Sequence, residues 1–340
     1  MDLIARNYEE TTEEILIGVD KESFEIKHEQ NEIDELSFTI NLSRKNRISY
    51  DLVQYENYIL WNGQTYIIKQ MTEAASGMSL TKDVTAMHIS IQLKDGYQYD
   101  ELTGTRSVNQ LLNYIFKAGD LGFSWEVIDK DSKLETVQQE NFGNANYKKL
   151  INEILEDYDA IMIADNKHLT FYPRGDYGDI VEEQIRYKYN TDGVKFDIDT
   201  LELKTQIKGF GKKDEDDDDK YYFDPITYTS PKAEIWGIRI QDPVQDRRYT
   251  VPGNMEKRLK KELQDVPEIS GTVTLKFHSN LHIYDYVPFI YEPLNINEYI
   301  QIVGLTEYPM QPSKPPDITL SNAKRTMTSI LANLVRKGVL

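Results

Sequence analysis

His28, His88, His168, His278 and His282 are the side chains of this chain best suited to proton transfer or metal ligation near neutral pH. Only His278 and His282 lie close in sequence. Their separation would align them on one face of a helix, but Ser279-Asn280 between them reads as a turn after a strand, so no metal site is expected there. Neither a His-Glu-x-x-His zinc motif nor a Gly-x-Ser-x-Gly nucleophile elbow occurs. The chain has no cysteine, which removes disulfides, thiolate metal sites and cysteine nucleophiles. A Ser-His-Asp site assembled from distant residues stays open, because such triads are recognised by geometry and not by spacing. Nothing in the sequence raises one such candidate above the others.

The carboxylates are next. Glu182-Glu183, and Asp176 with Asp179, can be drawn as the paired acids of a glycosidase. In a chain with 57 Asp and Glu such pairs follow from composition, and they read as solvated faces. The run Lys212-Lys213-Asp214-Glu215-Asp216-Asp217-Asp218-Asp219-Lys220 invites a calcium reading. Counted from Asp214, the sixth position is Asp219 where an EF-hand needs Gly, and the twelfth is Pro225 where it needs Glu. Adjacent like charges repel and resist burial together, so the run reads as a solvated loop. Arg247-Arg248 beside Asp246 offers phosphate binding or ion pairs between chains, against the plainer reading of a surface or inter-strand arginine pair. No catalytic, cofactor-binding or metal residue is assigned, and no cofactor is expected.

Composition narrows the partners. With 39 Lys and Arg against 57 Asp and Glu, the formal net charge is -18, which argues against gripping nucleic acid or anionic wall polymers by bulk attraction. The 340 residues are enough for two or more domains with sizeable cores. The start, Met1-Asp2-Leu3-Ile4-Ala5-Arg6, lacks the basic and apolar regions of a signal peptide, and no apolar run reaches membrane-spanning length. A soluble chain made in the cytoplasm, without a membrane anchor, is expected.

The elements that must carry these residues follow from periodicity. Ile15 to Val19, Ser23 to Lys27, Leu36 to Leu42, Tyr58 to Trp61, Thr65 to Met71 and Val84 to Leu93 are short and mostly alternating, the mark of a small barrel or sandwich. Asn62-Gly63 supplies the positive φ angles of a two-residue hairpin turn. From residue 95 the period changes. Val108, Leu111, Leu112, Ile115 and Phe116 form one helical stripe, and Tyr147, Leu150, Ile151, Ile154, Leu155 and Tyr158 form another. Ala160 to Ala164 and His168 to Tyr172 then read as strands about an Asp165-Asn166 turn. Strand patterning returns from Val194. Leu201, Leu203 and Ile207 are read on one face of a strand, and a helix is read over about 254–264 on Met255, Leu259 and Leu263. Pro309, Pro312, Pro315 and Pro316 mark a spacer, and Met327, Ile330, Leu331, Leu334 and Val335 a last helix. Tyr66-Ile67 leading to Lys69-Gln70-Met71-Thr72-Glu73 is echoed by Tyr299-Ile300 leading to Val303-Gly304-Leu305-Thr306-Glu307.

The order of elements in the second half carries a resemblance. The Gly209-Phe210-Gly211 strand end, the polar loop, Ile226-Thr227-Tyr228-Thr229-Ser230-Pro231, Trp236-Gly237-Ile238-Arg239, Asp246-Arg247-Arg248, a helix ending before Pro267 and a terminal hairpin resemble the prophage tail endopeptidase family. The match is densest over the last half of the chain and follows element order alone over the first. The resemblance implies a tail-tip hub of a long-tailed phage, similar to the central baseplate hub of contractile phages.

The expected fold is mainly β with α+β parts: a first β-barrel domain at 1–94, an α+β domain at 95–192, a second β-barrel domain at 193–312 with an insertion at about 212–265, and a Pro-rich spacer with C-terminal helix at 313–340. The resemblance further implies a homotrimer at the virion tail tip. Its expected partners are the distal tail protein ring, the tail tube or tape-measure components and, indirectly, the host cell wall, with DNA passing unbound. The alternative carried by the family's name is an endopeptidase or muramidase acting on the wall, though no motif in the chain supports an enzyme.

Overall fold

A computed structural model describes the chain at residues 2–77, 79–191, 193–213, 220–266, 268–276, 281–294 and 296–320. Alternation writes the first half. The strands are β1 (Ile4–Arg6), β2 (Glu13–Ile15), β3 (Glu25–Glu29), β4 (Glu35–Asn41), β5 (Tyr58–Trp61), β6 (Gln64–Ser76) and β7 (Ser79–His88), with helix α1 (Arg47–Leu52) beside them; β4 and most of β7 bury every second side chain, while β2 is exposed. In β4, Leu36, Phe38 and Ile40 point inward and join Phe24, Ile59, Ile68 and Val84 in one core. Asn62 (φ 50°) and Gly63 (φ 80°) turn β5 into β6 as the dipeptide demands. Lys82 also faces inward. Its ammonium donates to the carbonyls of Tyr50 (3.1 Å) and Val53 (2.7 Å), capping the end of α1 from beneath.

The middle of the chain is α+β. β8 (Tyr97–Arg106) pairs with β10 (Val137–Asn146), and β9 (Ser124–Val127) joins β11 (Ala160–Asp165) and β12 (His168–Pro173) in a three-stranded sheet. Helix α2 (Val108–Ile115) starts at a Ser107–Gln110 capping box, and α3 (Tyr147–Asp157) at an Asn146 cap. Their apolar stripes meet the sheets in a core around Leu111, Leu150, Ile154 and Phe171. The turn between β11 and β12 is centred on Asn166-Lys167, one residue later than the sequence suggests, because Asp165 pairs with His168.

After β13 (Ile185–Arg186) and β14 (Val194–Asp199), the chain makes a small separate sheet of β15 (Gln206–Phe210), β16 (Ile226–Thr229) and β17 (Val244–Gln245). Short α4 (Ala233–Trp236) lies between β16 and β17, and α5 (Pro252–Glu262) packs Met255 and Leu259 on Ile207. Leu203 is buried while Leu201 is 80% exposed. A turn, Leu203 N–H to the Thr200 carbonyl, breaks the strand that their spacing predicts. Gln206–Phe210 precedes the insertion expected at about 212–265, yet it pairs only within this small sheet. β18 (Glu268–Thr274), β19 (Tyr286–Tyr291), β20 (Ile296–Glu307) and β21 (Asp317–Leu320) complete the described chain, and the helix expected from Met327 to Val335 lies outside the described residues.

The fold is mainly β, as the alternation predicts. The two expected barrels, however, are joined. One 13-stranded sheet follows the order β14-β18-β21-β20-β3-β4-β7-β6-β5-β1-β2, with β13 and β19 attached at β20, and no complete closed ladder forms among the described residues. The first half curls back through Gly18–Asp20, whose backbone bonds Thr39 and Asn41 of β4. The join is made by β20, which pairs with β21 and then reaches β3 at Leu305–His28. Strand partners are a long-range choice that local alternation does not encode. The echo between the halves extends to an irregularity: β6 carries a bulge between Ile68 and Gln70, and β20 one between Ile302 and Gly304. Both immediately precede the echoed x-Thr-Glu triplet of their strand, Met71-Thr72-Glu73 and Leu305-Thr306-Glu307, and a bulge is a specific feature that related strands share.

Candidate functional site

The turn between β3 and β4 is where the parts of the chain meet. Asn31 sits there with φ 61°, a left-handed conformation that asparagine tolerates better than most residues. Its N–H donates to the Tyr284 hydroxyl (3.2 Å) and its side-chain carbonyl accepts from the Met162 N–H (3.3 Å). Its backbone carbonyl accepts from the buried Lys148 ammonium (2.7 Å). Burial lowers the Lys148 pKa, and the carbonyls of Asn31 and Asn152 accept two of its three protons. A single turn residue thus ties the first half to the α+β part and to the second half.

Beside it, His28 on β3 faces Asp34 (Nδ1 to Oδ2, 2.8 Å) and Glu307 on β20 (Nε2 to Oε2, 3.6 Å). Burial alone would favour the neutral ring, but the two carboxylates outweigh it and raise the imidazole to about 10. The folded value lies above the ordinary 6.5, so this contribution to stability is complete below about pH 6.5 and is lost as pH rises toward 10. We expect the difference in urea midpoint between wild type and His28→Gln to shrink from about pH 6 to about pH 10. A constant difference would show that the ion pair does not join the halves.

A second junction holds the insertion to the α+β part. Arg248 bonds Asp246 (Nη2 to Oδ2, 2.7 Å) and reaches Glu153 on α3 (Nη1 to Oε2, 2.7 Å). Glu140 accepts from the Thr250 N–H (2.6 Å) and from the Asn254 side chain, and the Asn141 amide donates to the Arg248 carbonyl. Glu140, Glu153, Arg248 and Asn254 line a cleft of about 250 Å³ whose walls balance Lys257, Arg258 and Lys261 against Glu156 and Asp157. Burial pushes the Glu153 carboxyl up, and Arg248 only partly offsets it. At Asp246 burial is outweighed by the Arg248 hydrogen bonds, which hold the carboxyl below its ordinary value. Of the Arg247-Arg248 pair, Arg248 is thus an internal link between elements and Arg247 is exposed.

Among the described residues the structure does assemble a serine-histidine-acid cluster. On the parallel pair β9–β12, Ser124 Oγ lies 2.8 Å from His168 Nδ1, and His168 Nε2 lies 3.4 Å from Glu126 Oε1. Sequence reading missed it because these residues become neighbours only through strand pairing. Its surroundings are wrong for acyl transfer. The Ser124 N–H is committed to the Lys167 carbonyl, Thr170 shares the Glu126 oxygen, and His168 and Glu126 are half open to solvent. On this open face the three side chains form a ladder across the paired strands.

The remaining chemical candidates are scattered. His88 is buried between Ser90 (2.9 Å) and Gln64 (3.1 Å), and burial lowers its pKa. His282 is exposed beside Asp285, whereas His278 and the acidic run Asp214–Asp219 lie outside the described residues. Glu182 and Glu183 are exposed, and Asp176 is paired with Lys133. Among the described residues no cluster of three metal-capable side chains forms.

Comparison with known proteins fits this pattern of joined β modules. Family models match three consecutive stretches: the prophage endopeptidase tail N-terminal domain at 3–88, a prophage endopeptidase tail domain at 95–171, and the prophage endopeptidase tail at 180–331. The crystal structure of prophage tail protein gp18 from Listeria monocytogenes is 48% identical over 99% of both chains, with a TM-score of 0.68. The chain belongs to the prophage endopeptidase tail family. In fold this family member is also similar to the 43 kDa tail protein of prophage MuSo2 from Shewanella oneidensis (10% identity, 94% and 98% of the two chains, TM-score 0.61). A tail protein from Neisseria meningitidis is similar too (13% identity, 96% and 97% covered, TM-score 0.58). No match to a curated protein was found. The resemblance read from the second half of the sequence therefore holds over the whole family member, which is a phage tail protein.

Proposed function

We propose that this chain is the hub of a phage tail tip, a homotrimeric ring between the distal tail protein ring and the host-facing components. The observation that carries this reading is the paired architecture. Two strand-rich halves with matching bulges in β6 and β20 are fused through β20 and β3 into one sheet. Three such chains present six near-equivalent units, the number needed to seat a threefold hub on a sixfold tube. Residues 1–94 and 193–312 would then form the ring, with the α+β domain at 95–192 outside it. The net charge of -18 suits a conduit, because a DNA backbone passes an anionic wall without sticking. The chain works at the virion tail tip after synthesis in the host cytoplasm. Electron microscopy of the purified chain mixed with its distal tail ring tests this directly: threefold density on the ring supports the hub, and failure to bind it contradicts it.

The wall-degrading reading rests on the Ser124–His168–Glu126 cluster and on nothing else in the described structure. We expect wild type and Ser124→Ala to behave alike in a turbidity assay on host cell wall, neither clearing the suspension. Clearing by wild type that Ser124→Ala abolishes would overturn the structural reading.

A further inference from the structure

We infer that neighbouring copies in the ring join edge to edge, through Ile15 of β2 in one chain and Ile240 of the insertion in the next. This deepens the hub proposal and rests on it. β2 ends the strand order of the large sheet, and β17 ends that of the small sheet, with the Gln206–Ile240 bridge extending the same edge. Both edges have a defined hydrogen-bonding phase. The Leu16 N–H donates to the Leu3 carbonyl, so in the Ile4–Ile15 register the N–H and C=O of Ile15 point away from β1. Gln206 donates to the Arg239 carbonyl and accepts from the Gln241 N–H, so those of Ile240 point away from β15.

The side chains on these edges are apolar and open. Ile15 is 50% exposed and Ile240 69%, with Ile17 and Ile238 similarly exposed beside them. An exposed apolar edge is a template for another strand unless charge or covering blocks it. Charge here selects the partner. Glu13 and Glu14 flank Ile15, whereas Arg239 lies between Ile238 and Ile240, its guanidinium without an ion pair or hydrogen bond among the described residues. Opposing Ile15 to Ile240 puts Arg239 on the same face as Glu14 in either strand direction, an opposite-charge cross-strand neighbour. Because the two edges are different surfaces of one chain, the contact is heterologous, the kind that builds a ring when its rotation closes.

The chain has no native cysteine, so engineered pairs report cleanly. Directly opposed strand residues have Cα atoms about 5 Å apart, within disulfide reach. Oxidised Ile15→Cys/Ile240→Cys should run as a covalent trimer on a non-reducing gel, while each single variant stays monomeric, since position 15 never meets position 15. Ile240→Lys, at an exposed site, should weaken self-association at least tenfold while the far-ultraviolet circular dichroism spectrum stays that of wild type. A double-cysteine chain that is trimeric by light scattering yet forms no cross-link would leave the ring standing and sink this interface. A chain that stays single at every concentration, uncross-linked even on its distal ring, would sink both.

Discussion

Gly178→Ala is expected to destabilise the chain by about 3 kcal/mol or more, the strongest single effect predicted for a small substitution. Gly178 has φ +92°, and a Cβ placed on it would lie 2.1 Å from the Tyr284 carbonyl oxygen. Nothing flexible can yield, because the obstacle is backbone. Next to it, the Asp179 N–H donates to Asp285 (3.0 Å), and the Tyr286 N–H donates to the Asp179 carbonyl (2.8 Å). Tyr284 in turn holds the N–H of Asn31. Pushing the two backbones apart therefore strains the link between the halves. Gly63 is the control, since its φ is +80° but open space surrounds it. Gly63→Ala should carry only the conformational penalty of about 1 kcal/mol. Urea unfolding of both variants separates the contributions, and equal losses would show that the close approach at Gly178 is not rigid.

Arg248→Ala is the second large effect, with an expected loss of about 3 kcal/mol. It removes the one cation shared by Asp246 and Glu153, whose side chains are only 15% and 17% exposed. Two half-buried carboxylates left without their partner are worse than none. Adding Glu153→Gln to the variant should recover part of the loss, because the amide carries no charge to bury. The insertion should also loosen from α3, which hydrogen exchange of α5 amides would reveal as faster exchange confined to 252–262. Unchanged exchange there would mean that the apolar packing of Met255 and Leu259 suffices to hold the insertion.

Local signals were legible in the sequence wherever one segment decides its own conformation. Asn62-Gly63 specified its hairpin, and the stripes through Val108–Phe116 and Tyr147–Tyr158 specified α2 and α3. Reading failed where spacing was right but a turn intervened, as at Leu201 and Leu203. Lys82 shows another limit. Alternation places it on the core face, but only the fold supplies the Tyr50 and Val53 carbonyls that make its burial tolerable. The junction residues were invisible for the same reason. Asn31, His28 and Arg248 act through partners far away in sequence, and no local pattern announces a partner 95 or 253 residues distant.

What the sequence did carry was the order of its elements, and that order was enough to place the chain in its family. Among the described residues, His28, Lys148 and Arg248 join strands and modules, and the Ser124–His168–Glu126 cluster lies on an open sheet surface.

The proposed threefold hub is best tested by the solution mass of the purified chain, measured by light scattering across a range of protein and salt concentrations. A species of three chain masses that persists on dilution is expected. A single chain mass at every concentration, unchanged when the distal tail ring is added, would contradict it.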